Sequence, residues 1–160
     1  AYEFVADKCG AGKYRGGVPF RRAYRFDEAA GQLSVRSDRK THRPFGLYGG
    51  SPGEPSENHM NPQAENRPLP SKVTMDITRG TVFQHTHPGG GGWGDPLERE
   101  PARVLRDVRN EYITAERAER DYGVVIDTRT WTVDADATAA KQADIRRRRG
   151  WKKVPRVQWT

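Results

Sequence analysis

The sequence predicts an α+β chain: β-rich in its first part, with long Gly/Pro loops, then two or three helices. Three observations carry that prediction. Val73, Met75 and Ile77 alternate with Thr74, Asp76 and Thr78, the two-residue period of a strand with one buried face. Past Pro101 the period changes, and Leu105, Val108 and Tyr112 recur at three- and four-residue spacing, as on one side of a helix. Between these stretches lies His87-Pro88-Gly89-Gly90-Gly91-Gly92-Trp93-Gly94-Asp95-Pro96, closed by proline on both sides. Backbone that bare lets another group approach closely, and the tryptophan and aspartate inside it argue for a shaped, contact-making loop over a Gly/Ser linker. Three regions follow: residues 1–97, β-rich and loop-presenting; 98–150, helical; and 151–160, a basic, aromatic tail.

Taken in order, Tyr2 to Ala6 already reads as a strand, with no initiator methionine, so a fragment or a processed or split subunit is expected. Cys9-Gly10-Ala11-Gly12-Lys13-Tyr14-Arg15-Gly16-Gly17 is a second glycine-rich loop, carrying two cations. Phe20, Tyr24 and Phe26 share one face of the next strand, with the arginines mostly on the other, exposed face. Leu33 and Val35 alternate with Ser34 and Arg36 as the return strand after Gly31. From about residue 38 to 70 no period emerges; turn chemistry surrounds Phe45, Leu47 and Tyr48, and Pro55 to Pro70 reads as a loop ordered by docking. Arg79-Gly80 is expected to turn the Val73–Ile77 strand into Thr81–His85, a strand pair bearing the glycine run at its tip.

Pro101 suits a first helical turn. Thr114 caps a second helix that ends near Gly123, and Val124 to Ile126 is a short strand or connector. Asp134 or Asp136 caps an alanine-rich helix that runs into Arg146–Arg149, cations that complement a helix C-terminus, and stops at Gly150. Trp151 to Thr160 reads as an arm laid on another surface.

Hydrophobic residues are 34% of the chain and charged residues 31%, with mean hydropathy -0.95. That is below the apolar share of an ordinary domain, so the chain is expected to complete its core against partner chains and not to fold alone. A net charge of +7 invites nucleic acid or an acidic partner. Cys9 is the only cysteine, which excludes an internal disulfide and suits a reducing compartment, the cytoplasm. No apolar run reaches membrane-spanning length.

Among candidate sites, Lys13 and Arg15 with the amides of Gly12, Gly16 and Gly17 make an anion-friendly concavity. The equal alternative is a connection whose arginine pairs with an acidic residue of a partner subunit. The spacing matches neither the Walker loop nor the dinucleotide fingerprint. Gly89, Gly90, Gly91 and Gly92 are expected to shape a substrate wall or an inter-subunit channel, with Trp93 as a packed anchor and Asp95 capping the turn before Pro96. His85 and His87 lie on one face of a strand, and with Asp76 on an adjacent strand they form a candidate metal set, set against polar groups at the root of a loop. His42 and His59 lack any ligand pattern around them, and Cys9 beside Lys8 reads as a buried or incidental thiol.

The blocks Gly10–Gly17, Leu47–Gly53, Leu69-Pro70-Ser71-Lys72, Pro88–Pro96 and Glu119-Arg120-Asp121-Tyr122-Gly123-Val124-Val125 follow one another in that order. Together they resemble the C-terminal part of the hydantoinase B family, the B-type component of ATP-dependent N-methylhydantoinases. Its relatives include 5-oxoprolinase and the acetone and acetophenone carboxylases. Ala137–Ala140 resembles that family's C-terminal helix, while His87 stands where relatives carry a threonine or other small residue. The resemblance implies an A-type subunit that binds ATP with Mg and phosphorylates a lactam, hydantoin or enolate oxygen. It implies a B-type subunit that then hydrolyses or carboxylates, with a divalent metal, Zn or Mn. The family's metal and catalytic residues lie in an earlier portion of the B-type subunit or in the partner, so the resemblance carries no catalytic residue or metal ligand onto this chain.

Three functions are therefore weighed. The first is a portion or split small subunit of a hetero-oligomeric, ATP-dependent cyclic-amide hydrolase. The second is a subunit of an acetone/acetophenone-type carboxylase. The third is a basic nucleic-acid-binding or structural module, which Arg146–Arg149 favour and the dispersal of the other cations opposes.

Overall fold

A computed structural model describes residues 1–150 of the chain; the tail predicted over 151–160 lies outside the described residues. The period-two stretches become antiparallel strands, divided between two sheets. Strands β1 (Tyr2–Phe4), β2 (Phe20–Arg25), β3 (Ala30–Arg36), β4 (Glu57–Met60), β5 (Arg67–Pro68), β6 (Lys72–Thr78) and β7 (Val82–Thr86) follow in sequence. One sheet has the order β1-β2-β7-β4-β5, and β3 pairs with β6 as a separate ribbon.

In that ribbon Leu33 faces Met75 and Val35 faces Val73, so the apolar residues of both strands share one side. That side packs on Met60, Leu69 and Phe83 to form the smaller of two cores. Two expectations are corrected here. β3 returns against β6, not against β2. And β6 does not pair with β7, whose partners are β2 through Tyr24 and Phe83 and β4 through His59 and Gln84. The reversal at Arg79-Gly80 is real, with Gly80 at φ +87, but the backbone bonds from Gly80 to Phe26 and from Phe26 to Thr81 tie it to the end of β2. The turn thus hands the chain from ribbon to sheet. β4 and β5 arise where no period was legible.

The helices start and stop on their sequence signals, but the expected Leu105–Val108–Tyr112 period is corrected: α1 ends before Tyr112 and buries Val104, Asp107 and Val108. α1 (Pro101–Arg109) begins on its proline. α2 (Ala115–Tyr122) begins where the Thr114 hydroxyl accepts from the Arg117 amide, and closes on Gly123 at φ 64. After the two-residue strands β8 (Ile126–Asp127) and β9 (Thr132–Val133), α3 (Ala135–Arg149) starts on the Asp134 carboxylate and ends on Gly150 at φ 63. The larger core gathers Val104, Val108, Ile113, Ala118, Tyr122 and Val124 with Cys9 and Ala11. The secondary structure changes near residue 98, but this core crosses that line. No helix among the described residues is long and apolar enough to cross a membrane.

Candidate functional site

The glycine run does not sit at the tip of a strand pair. It threads through the middle of the molecule, and its four residues face different neighbours in turn. A methyl on Gly89 would run into the carbonyl of Lys8, on Gly90 into the amide of Gly17, on Gly91 into the carbonyl of Phe45, and on Gly92 into the carbonyl of Ala11. The contact returns to the Lys8–Ala11 segment after three residues, the recurrence of an extended helix of the polyproline II type. Such a path has no internal hydrogen bonds, so its polar groups bond sideways. Gly89, Gly90 and Gly92 donate to the carbonyls of Glu54, Gly17 and Ser51, while the carbonyls of Gly90 and Gly92 accept from Gly10 and Leu47. These groups are committed to neighbouring backbone, and the run is a spine.

Three guanidinium groups bond the first glycine loop to the helices. Arg117 donates to the Cys9 carbonyl at 2.6 Å, Arg99 to that of Lys13 at 3.1 Å, and Arg15 to that of Gly16 at 2.6 Å. Arg15 and Arg99 also converge on Oδ2 of buried Asp107, at 3.1 and 2.7 Å. Lys13 reaches Glu98 at 3.1 Å. The two cations of the expected anion concavity are thus paired within the chain, and the acid opposite Arg15 is Asp107 of this chain, not a partner's residue. Cys9 is buried, and burial pushes its thiol pKa up despite Arg15 and Arg117 nearby.

Past the spine the side chains turn outward. Trp93 is 44% exposed and packs at 5.5 Å centroid distance on Tyr14 and on Tyr48. Leu47, bridged to Trp93 through the backbone, and Phe45 are exposed as well. Asp95 accepts from the Leu97 amide at the head of a short 3-10 turn and receives Arg149.

His85 and His87 do share a face, with rings 4.5 Å apart, but Asp76 lies in the ribbon opposite Gln32, in the other sheet. No group of three or more His, Cys, Asp or Glu among the described residues could hold a metal ion. The residues present fit neither a divalent metal at the histidines nor a nucleotide phosphate at the paired cations. The tautomers are nonetheless fixed. Asn58 donates its amide to the Ser37 hydroxyl and the Pro70 carbonyl, so its oxygen accepts from Nδ1 of His85 at 2.7 Å. Arg22 donates to Nε2 of His87 at 3.1 Å, which leaves that ring its hydrogen on Nδ1.

Burial lowers the pKa of both histidines, with Arg22 adding to it at each and His87 at His85. The folded state therefore favours the neutral form of both rings, while the unfolded chain takes up protons at about pH 6.5. The contribution of these two histidines to stability should be constant above that value and fall as pH drops through it toward the folded pKa values. Chemical denaturation at pH 8 and pH 5.5 checks this. The pH-dependent loss should shrink in His85→Asn and His87→Gln; an unchanged loss in both would show that the histidines do not carry it.

Residues 1–96 match the Hydantoinase B/oxoprolinase family model. The chain belongs to this family. A Pseudomonas sp. (strain NS671) protein, named as the B component of a D-/L-hydantoinase, is 37% identical over 128 residues, which is 78% of this chain and 22% of that protein. Among solved structures, the ATP-dependent caprolactamase of Pseudomonas jessenii superposes at TM-score 0.73 with 29% identity, over 89% of this chain and 25% of its own. A nucleotide-free acetone carboxylase superposes at 0.69 with 26% identity, over 97% and 25%. This hydantoinase B-family chain thus spans about a quarter or less of the relatives it matches.

Sequence reasoning missed Asp107, Arg99, Asn58 and Arg22. For Arg22 a signal existed: it has the same parity as Phe20 and Tyr24, so it lies on their aromatic face and not on the exposed one.

Proposed function

We propose that this chain is the C-terminal portion, or a split small subunit, of a hydantoinase B-type enzyme within an ATP-dependent, hetero-oligomeric complex that hydrolyses a cyclic amide such as a hydantoin or lactam. The observation that supports this reading most directly is the glycine spine, which lies within the family match and within a likeness to an ATP-dependent caprolactamase. In this reading the chain is scaffold. ATP with Mg belongs to an A-type partner, and Zn or Mn to the partner or another portion of the B-type subunit, all in the cytoplasm. Lys13, Arg15, Gly16, Gly17, Gly89–Gly92, Trp93 and Asp95 build and brace an interface to the rest of the B-type subunit, which also completes this chain's sparse core. A carboxylase acting on a ketone is the second reading, favoured by the acetone carboxylase superposition over 97% of the chain.

Capture of the native complex in mild salt, followed by intact mass spectrometry and ATP-dependent turnover of hydantoin or lactam, tests the proposal. Bicarbonate and a ketone added to the same sample separate carboxylase from hydrolase. Recovery of the chain alone, folded and bound to nucleic acid, would refute both. Within the complex, Trp93→Ser should weaken association at least tenfold, the scale of about 1.4 kcal/mol, as for an aromatic interface anchor. Its far-UV spectrum should match that of the parent. Undiminished capture would remove Trp93 from the interface.

A further inference from the structure

The cations expected to receive an anion, Lys13 and Arg15, already have carboxylates. The half-buried cation that has none among the described residues lies elsewhere. Every other buried or half-buried lysine and arginine among the described residues sits on a carboxylate, from Lys8 on Glu57 to Arg149 on Asp95. Arg22, half-buried in β2, has no carboxylate partner among the described residues. Among the described residues its Nε has no hydrogen-bond partner, and its one polar contact is Nε2 of His87. A half-buried charge without a counter-ion is unfavourable, and here only the His87 hydrogen bond and two aromatic faces offset it in part. Its neighbours on that face are the rings of Phe20 and Tyr24, at 5.2 and 5.9 Å, and two neutral imidazoles.

The register makes this a built row. Tyr2, Arg22, His85 and Asn58 stand opposite one another across β1, β2, β7 and β4. Asn58, fixed by two bonds of its own, holds Nδ1–H of His85 and leaves Nε2 of that ring bare. At the open end Tyr2 is 69% exposed and Tyr24 54%. One guanidinium and no other charge calls for a single negative charge on a planar group that two N–H donors can grip. A phosphate dianion would remain half-neutralised.

We infer that the Arg22–His87 corner of the five-stranded sheet binds a carboxylate. The group is either a free small carboxylate or, resting on the proposed reading of the chain as a portion of a larger B-type subunit, an Asp or Glu side chain from the rest of that subunit.

Calorimetric titration of the full polypeptide and its co-purifying partners with sodium acetate, against sodium chloride at matched ionic strength, tests this. Two buffers of different ionisation enthalpy are used at about pH 6.5, where a neighbouring anion should raise the imidazole pKa values and draw in protons. A free-carboxylate site gives saturable heat with proton uptake. Arg22→Gln should weaken it at least about tenfold, since a charged hydrogen bond is lost, and Arg22→Lys should keep a weaker site, because ammonium retains the charge without the fork. If acetate gives no heat, a cryo-EM map of the same assembly should show an Asp or Glu side chain on Arg22, which assigns the carboxylate to the polypeptide. No acetate heat together with no carboxylate on Arg22 in the map overturns the inference.

Discussion

Gly91→Ala is expected to prevent folding, while Gly17→Ala leaves stability unchanged or slightly raised. The two glycines sit in the same bundle of extended segments, and the space around them decides the outcome. A Cβ at Gly91 lands inside the Phe45 carbonyl, with the carbonyl carbon and the Gly46 amide behind it. All of these are backbone atoms that cannot rotate away. The only relief is to separate two segments that Gly92 and Leu47 hold together through a 2.9 Å bond. Overpacking an unyielding site costs about 3 kcal/mol or more, a large part of a domain's total stability. At Gly17 a Cβ meets nothing within 4 Å and φ is not positive. Alanine there acts mainly by restricting the unfolded chain, worth about 0.4–1 kcal/mol in favour of the fold. Circular dichroism and thermal denaturation of the two variants beside the parent, in the same assembly state, decide the matter. A folded Gly91→Ala of near-parental midpoint would mean that the spine is looser than its contacts imply.

The same contrast explains what the sequence could show. Strand β6 and the caps Thr114, Gly123, Asp134 and Gly150 were legible because their signals are local: a period of two, a hydroxyl or carboxylate before a helix, a glycine after it. The glycine run was visible as a feature, but its three-residue recurrence matches neither helix nor strand periodicity, so it read as a ligand-facing loop. β4 was hidden because Asn58, at a buried position, is polar; its burial is satisfied by Ser37, Pro70 and His85, partners that no local pattern announces. The pairing of β6 with β7 was expected from adjacency along the chain, yet the turn between them is bonded to Phe26 and sends β7 into the other sheet. Lys13 and Arg15 were recognised as cations in a glycine loop, but Asp107 stands 92 residues beyond Arg15, and only the fold brings them together.

Asp107→Asn should be the most damaging conservative replacement on the helical side, at about 3–5 kcal/mol, the range for stripping one partner from a buried ion pair. The side chain keeps its shape, so the loss isolates charge. Asp107 is 4% exposed by side chain, and Arg99 and Arg15 are 7% and 15% exposed. Two guanidinium groups already share one carboxylate oxygen, and the Arg99 Nε and the Tyr122 hydroxyl nearby have no hydrogen-bond partner among the described residues. Removing the only negative charge that these arginines contact among the described residues leaves both cations in a poorly solvated pocket. It also slackens the bonds that Arg99 and Arg15 make to the Lys13 and Gly16 carbonyls, and so the seat of α1 on the first glycine loop. Because the loss comes from stranded positive charge, removing one cation should restore part of it. Asp107→Asn combined with Arg15→Met should be more stable than Asp107→Asn alone, a positive coupling in a double-mutant cycle. Urea denaturation of the four proteins measures that coupling. Additive losses would mean that Asp107 acts through packing and hydrogen-bond geometry, with its charge immaterial to the join between the first glycine loop and the helices.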